Sequence, residues 1–156
     1  MKKFLRIVLI VIAVLTVVVL IRFAMLGHGS KSGEAPALVS GALTHCPEKP
    51  NCVCSEFDED TAHYIEPLDY SGVPAEKVWG EISRIIEELG GQVVVNNDDY
   101  LAATFSSSVF GFVDDVEFRL DPSQKRIQVR SASRVGHSDL GVNRKRVETM
   151  TRLFTQ

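Results

Sequence analysis

The sequence predicts an α+β protein in which an N-terminal transmembrane helix precedes a two-layer domain. The expected order in that domain is β-α-β-β-β-β-α, an antiparallel sheet with two helices on one face. Three observations carry this reading. The first is an apolar run near the N-terminus. The second is a pair of segments with apolar residues at helical spacing. The third is a set of short alternating segments joined by brief polar turns, the pattern of antiparallel strands.

Ile7 to Ile21 is apolar throughout except for Thr16. Fifteen helical residues span roughly 22 Å, less than the ~30 Å hydrocarbon layer. Phe4, Leu5 and the stretch from Phe23 to Leu26 lengthen the run, and Arg6 and Arg22 can reach the two interfaces with their charged ends. Lys2, Lys3 and Arg6 outweigh Arg22 and Lys31, which predicts a cytoplasmic N-terminus and an extracytoplasmic domain. A cleaved signal peptide is the rival reading. It lacks a good small-x-small site close behind the apolar run, so the helix is expected to remain as an anchor over residues 1–26. Gly27 to Ala42 is rich in Gly, Ser, Pro and Ala and reads as a flexible linker. The domain is expected over residues 43–156.

Within it, His45 to Ser55 reads as irregular and Glu56 to Asp60 as an exposed acidic loop. Tyr64 to Tyr70 reads as a first strand at an edge, because Pro67 interrupts it. Pro74 opens a helix carrying Val78, Ile82, Ile85, Ile86 and Leu89 on one face, and Gly90-Gly91 closes it. Val93 to Val95 and Tyr100 to Phe105 are strands about a turn at 96–99. Val109 to Val113 is an apolar loop or strand start, read as core, with contact to lipid or a partner as the alternative.

The next two segments form a hairpin. Val116, Phe118 and Leu120 alternate with acids and Arg119, and Ile127 and Val129 alternate with Arg126, Gln128 and Arg130. A four-residue loop at 122–125 pairs Leu120 with Ile127 and Phe118 with Val129 on the inner face. The same register sets Asp121 opposite Arg126 and Glu117 opposite Arg130 on the outer face. A last helix follows from about Asn143 to Phe154. This order is shared with simple helix-on-sheet folds such as the TATA-binding-protein-like and helix-grip folds, an analogy that carries no function.

Charge is divided along the chain. Residues 31–121 hold 18 acidic and 5 basic side chains, whereas residues 122–156 hold 8 basic and 2 acidic. Two such halves can neutralise each other inside one fold. The acidic balance beyond the first 30 residues argues against nucleic acid as a partner.

Three cysteines lie close together in Cys46-Pro47-Glu48-Lys49-Pro50-Asn51-Cys52-Val53-Cys54. Outside the cytoplasm a Cys46–Cys52 disulfide is the favoured reading, with free thiols or a metal held with His45 and His63 as alternatives. The spacing fits no standard zinc pattern, and neither a metal nor a cofactor is assigned.

Arg144, Lys145 and Arg146 crowd the expected start of the last helix, behind Asn143 as N-cap. Cations are unfavourable there. Compensation can come from Asp139, Asp114 or Asp115 within the domain, or from a bound anion such as phosphate or carboxylate. The candidate anion ligands are Arg130, Arg134, Asn143, Arg144 and Arg146, with Asp114, Asp115, Glu117 and Asp139 as supporting acids. His137, Ser138 and Asp139 invite a hydrolase reading. Adjacent residues rarely meet in triad geometry, however, and no Gly-x-Ser-x-Gly elbow is present, so no catalytic residue is assigned. Ser131 and Ser133 fall on the inner face and read as packed serines. Asp114 and Asp115 point to opposite faces of a strand.

Two stretches, Phe112-Val113-Asp114-Asp115-Val116-Glu117-Phe118-Arg119 and Val129 through Arg146, resemble the bacterial domain-of-unknown-function family 1499. So does the segment containing Cys46-Pro47 and Pro50-Asn51-Cys52. The resemblance runs from about Leu43 to Leu153. It implies no reaction. Cys54 stands where the family commonly has Ser, and His137 where it commonly has Tyr.

The sequence therefore points to a single-pass protein of the inner membrane with its domain in the cell envelope. The domain is expected to be a non-enzymatic binding module for a protein or small anionic ligand. The alternative is an envelope hydrolase or metal-dependent enzyme using residues 130–146.

Overall fold

The β-hairpin that alternation predicts is the centre of the observed sheet. In the computed structural model, which describes residues 1–155, β5 (Val113–Asp121) pairs with β6 (Arg126–Ser133), with Leu120 opposite Ile127 and Phe118 opposite Val129. Gln156, the last residue of the expected domain, lies outside the described residues.

The other elements are α1 (Lys2–Ser30), β1 (Cys52–Cys54), β2 (Leu68–Asp69), α2 (Ala75–Glu88), β3 (Gln92–Asn96), β4 (Tyr100–Ser106) and α3 (Val142–Phe154). The sheet is antiparallel in the order β1-β6-β5-β4-β3, and β2 also pairs with β6. The expected fold class and approximate element order are thus present. Two details differ. The expected strand over 64–70 is reduced to Leu68–Asp69, with Tyr64 making a lone bridge to Cys54. Residues 52–54, read as irregular, form a strand along Arg130–Ala132. Three residues between a proline loop and an acidic loop are too few for alternation to show.

Helices α2 and α3 cover one face of the sheet. Val78, Ile82, Ile85 and Ile86 of α2 meet Val147, Met150 and Phe154 of α3 over Leu101, Ala103, Phe105, Val116, Phe118, Ile127 and Val129. Gly90 ends α2 at φ 81°, and the Gly91 N–H donates to the Ile86 carbonyl at 2.8 Å. A Cβ on Gly91 would collide with Phe105 and Ile86, so the position requires glycine.

The opposite face is covered as well. Leu43, Cys54, Tyr100 and Ala102 are buried there, packed with Ala35, Leu38, Cys46 and Phe57. The outer face of the hairpin is therefore interior: Glu117 is 0% exposed and Arg130 7%. Asp121 and Arg126 are register partners but form no ion pair. Asp121 instead accepts hydrogen bonds from the Ser123 hydroxyl at 2.6 Å and from the Ser123 and Gln124 N–H groups.

Helix α1 is long and apolar enough to cross a membrane, and its apolar stretch stands clear of the domain. Its last turn does not. Gly27 and Ser30 are buried, and the Val113 N–H donates to Ser30 Oγ at 3.0 Å. The segment expected as a loose linker is thus held at its start by β5 and further on by Ala35 and Leu38. Just beyond Leu38, Ser40 and Gly41 adopt positive φ in a tight turn that pairs Val39 with Ala42.

The Ser123 hydroxyl holds the Asp121 carboxyl below the usual carboxylate range. A carboxylate that titrates lower when folded contributes its stabilisation fully at neutral pH. That contribution is lost as pH falls through the folded-state value. Asp121→Ala is expected to lower stability by about 1 kcal/mol at neutral pH, with the difference from the parent shrinking in acid. Urea unfolding at several pH values measures it.

Candidate functional site

The residues singled out in the sequence converge around β5, β6 and the start of α3, on both faces of the sheet. Strand alternation separates the two adjacent acids. Asp114 turns toward the helices and pairs with Arg146 at 2.7 Å. Asp115 turns to the other face and takes Arg134 in a two-pronged pair, at 2.8 Å from Nε and 2.7 Å from Nη2.

Under the helices the polar centre is Asn143, 1% exposed. Its Oδ1 accepts from the Ser131 hydroxyl and from Arg146 Nη1, both at 2.6 Å. Its Nδ2 donates to the Asn51 carbonyl and to Ser133 Oγ, both at 3.1 Å. Arg146 also lies over the Phe105 ring, 4.6 Å from its centroid. Ser131 and Ser133 are indeed packed and hydrogen-bonded on the inner face.

Asn143 does not cap α3. Gly141, at φ 81°, holds the cap position, and Asp139 reaches forward to accept from the Gly141 N–H at 3.0 Å and the Asn143 N–H at 2.7 Å. The negative charge that the basic first turn calls for therefore comes from the domain itself. The Asn143 side chain is drawn into the interior because Ser131, Ser133 and Arg146 together satisfy its amide. Arg144 points the other way, donating to the Tyr64 carbonyl at 2.9 Å and the Ala62 carbonyl at 3.3 Å. It lines a small cavity of about 220 Å³ with Asp139 and Asn143.

On the opposite face Glu117 accepts from Arg130 Nη1 at 2.9 Å and from the Tyr100 hydroxyl at 2.8 Å. Burial pushes the Glu117 carboxyl up against the opposing pull of Arg130, and pushes the Tyr100 hydroxyl up as well. Arg119, beside this pair, holds Glu56 through two hydrogen bonds. Arg134 adds a role the sequence did not disclose. Its Nη1 donates to the Ser30 carbonyl at 3.2 Å and the Lys31 carbonyl at 3.4 Å, at the negative end of α1. The hydrogen bonds to Asp115 keep its guanidinium firmly charged.

Cys46 and Cys52 form a disulfide, and Cys54 is a free, buried thiol. Burial raises the Cys54 thiol to about 11. His45 stacks on Phe57, and His63 bonds Asp60 and the Lys49 carbonyl. Among the described residues no group of three His, Cys, Asp or Glu is gathered as metal ligands would be. The Ser138 hydroxyl accepts from the Leu140 N–H in the loop before α3, and Asp139 is the cap. Neither side chain is directed at the other as in a triad.

The residues missed in the sequence are chiefly partners supplied from far along the chain: Ser30, Asn51, Glu56 and Tyr100. Asn51 sits in the Pro50-Asn51-Cys52 stretch, so its signal was visible. The others are ordinary residue types with no local pattern.

A further concavity lies between residues 31–38 and the β3–β4 edge of the sheet, with a volume of about 770 Å³. Lys31, Glu34, Ala35 and Leu38 form one wall, and Val94, Val95, Tyr100 and Thr104 the other. Val94 is 55% exposed on the edge strand.

An α+β domain with a buried Arg–Asp–Asn framework, closed by a small disulfide loop, is the class these features define. The model of the family described as proteins of unknown function, DUF1499, matches residues 42–154. The chain belongs to that family. A comparison with curated proteins returns no match.

Breaking the Glu117–Arg130 pair from one side leaves a buried charge without its partner, at a cost of about 3–5 kcal/mol. Glu117→Leu or Arg130→Met alone is therefore expected to destabilise the domain strongly. The double variant Glu117→Leu with Arg130→Met should recover most of the loss. Denaturant unfolding of the three variants checks this, and two additive losses would show that the pair does not act as a unit.

Proposed function

We propose that this protein is a single-pass membrane protein whose domain acts outside the cytoplasm as a binding module. The observation that carries the binding reading is the groove between residues 31–38 and the open edge of β3, where apolar side chains and a strand edge are exposed together. A partner can find both backbone hydrogen bonds and apolar contact there. The polar cluster of β5, β6 and α3 is not the binding face in this reading. Arg130, Arg134 and Arg146 each hold a carboxylate of the domain, so an incoming anion must displace Glu117, Asp115 or Asp114. These residues are proposed to frame the fold rather than to perform a reaction. The partner is a protein or small ligand of the cell envelope.

Location rests on two supports. The apolar surface of α1 suits a bilayer, and the basic residues of its leading end favour an N-terminus in the cytoplasm. A disulfide persists in an oxidising compartment. Alkaline phosphatase fused to the C-terminus is expected to be active, and green fluorescent protein at the same position dark. The reverse pattern would place the domain in the cytoplasm.

A photo-reactive amino acid placed at Val94 in living cells tests the groove. A discrete adduct is expected from Val94 and none from Glu87 on the exposed side of α2. Equal labelling from both positions, or none from Val94, would reject the groove as the binding face.

A further inference from the structure

The end of the domain that receives α1 is also where much of its exposed apolar surface collects. Three loops or termini meet there. The Val113 N–H bonds Ser30 Oγ, and Arg134 bonds the carbonyls of Ser30 and Lys31. Asp114 pairs with Ser133 in the sheet, so the loop after β4 (107–112) and the loop after β6 (134–141) leave from that same end. Val109 at the tip of the first loop is 78% exposed, and Leu140 in the second is 94% exposed, held at φ 57°. Val142, also exposed, lines one cavity with Ser107 and Lys145. The stretch from Val109 to Val113, read from sequence as core, is buried only at Val113.

The helix fixes the depth of this surface. Phe4 to Phe23 is 20 residues, roughly 30 Å of helix and about the thickness of the hydrocarbon layer. Phe23 therefore lies at its far rim. The Phe110 ring is 5.4 Å from the Phe23 ring, and the Phe112 ring 6.2 Å from it, edge-on. Gly27, one turn further on, lets the chain come so close that a Cβ there would collide with the Phe110 carbonyl. Phe rings at this depth lie at the headgroup–acyl boundary, where interfacial segments bury Trp, Phe and Leu.

Local charge agrees with a lipid surface although the domain as a whole is acidic. Arg22, Lys31 and Lys145 lie at this end. Of the acids nearby, Asp114 pairs with Arg146, Asp115 with Arg134 and Asp139 with the start of α3, which leaves the exposed Glu34 against three cations.

We propose that the 107–112 loop, with Leu140 and Val142, seats the domain in the headgroup region of the bilayer that α1 crosses. The domain then has a second, fixed membrane contact rather than swinging on a tether. The proposal rests on the reading of α1 as a membrane anchor, and the experiment separates the two.

The full chain carrying Cys54→Ser is reconstituted in vesicles of phosphatidylcholine and phosphatidylglycerol. A nitroxide is placed in turn at Val109→Cys, Leu140→Cys, Val19→Cys and Glu87→Cys. Power saturation then compares collisions with oxygen, which concentrates in lipid, and with a water-soluble nickel chelate. The oxygen-to-nickel ratio at Val109 is expected to lie several-fold above that at Glu87 and toward the value at Val19. Phe110→Ser should lower the ratio at Leu140 while Val19 stays unchanged. A lipid-like Val19 with a water-like Val109 would overturn the docking and leave the anchor standing. A water-like Val19 would overturn the anchor, and the docking with it.

Discussion

The register of the β5–β6 hairpin is the constraint on which the rest of the molecule depends. Four loop residues between Asp121 and Arg126 set Glu117 opposite Arg130 and Asp114 opposite Ser133. A slip by one residue would exchange the faces of β6. It would turn Ile127 and Val129 away from the helices and move Ser131 and Ser133 away from Asn143. Both hydrophobic layers and both polar clusters thus follow from one turn geometry. The hydrogen bonds of Asp121 and the left-handed Lys125 fix that turn.

The two faces use their charged residues differently. Toward the helices, Asp114, Arg146, Asn143 and the two serines tie the first turn of α3 to β6. On the other face, Glu117, Arg130 and Tyr100 are sealed beneath residues 43–57. Replacing such groups with apolar ones is often neutral in energy. Their role is orientation: the pairs form in the observed arrangement of α3 and of the covering segment. Arg134 extends this logic to the anchor, since the same guanidinium holds Asp115 and the carbonyl end of α1.

Much of this was legible in the sequence because it is periodic. Helical spacing located α2 and α3, a run of valines located β3, alternation located β4 to β6, and a single register satisfied both faces of the hairpin. The apolar run marked α1, and two cysteines around a proline-rich loop marked the disulfide. What stayed hidden lacks a period. β1 has three residues. The cover over the second face is irregular chain, so Glu117 and Arg130 looked like surface charges. The Asn143 cap was a sound local inference displaced by a tertiary one, because Asp139 could reach the helix start while the interior offered the Asn143 amide more partners. The apolar Val109–Val113 stretch looked like core because hydrophobicity alone does not distinguish a buried strand from an exposed loop tip.

Cys54 shows how the fold governs its own chemistry over time. An unfolded chain with three neighbouring cysteines has three ways to close a single disulfide. Once β1 is laid along β6, the thiol is enclosed and its ionisation is displaced toward alkaline pH. The thiolate needed for exchange then becomes scarce. Sorting of the cysteines therefore belongs to the interval before β1 docks. After that step the scarcity of thiolate slows exchange into the Cys46–Cys52 loop.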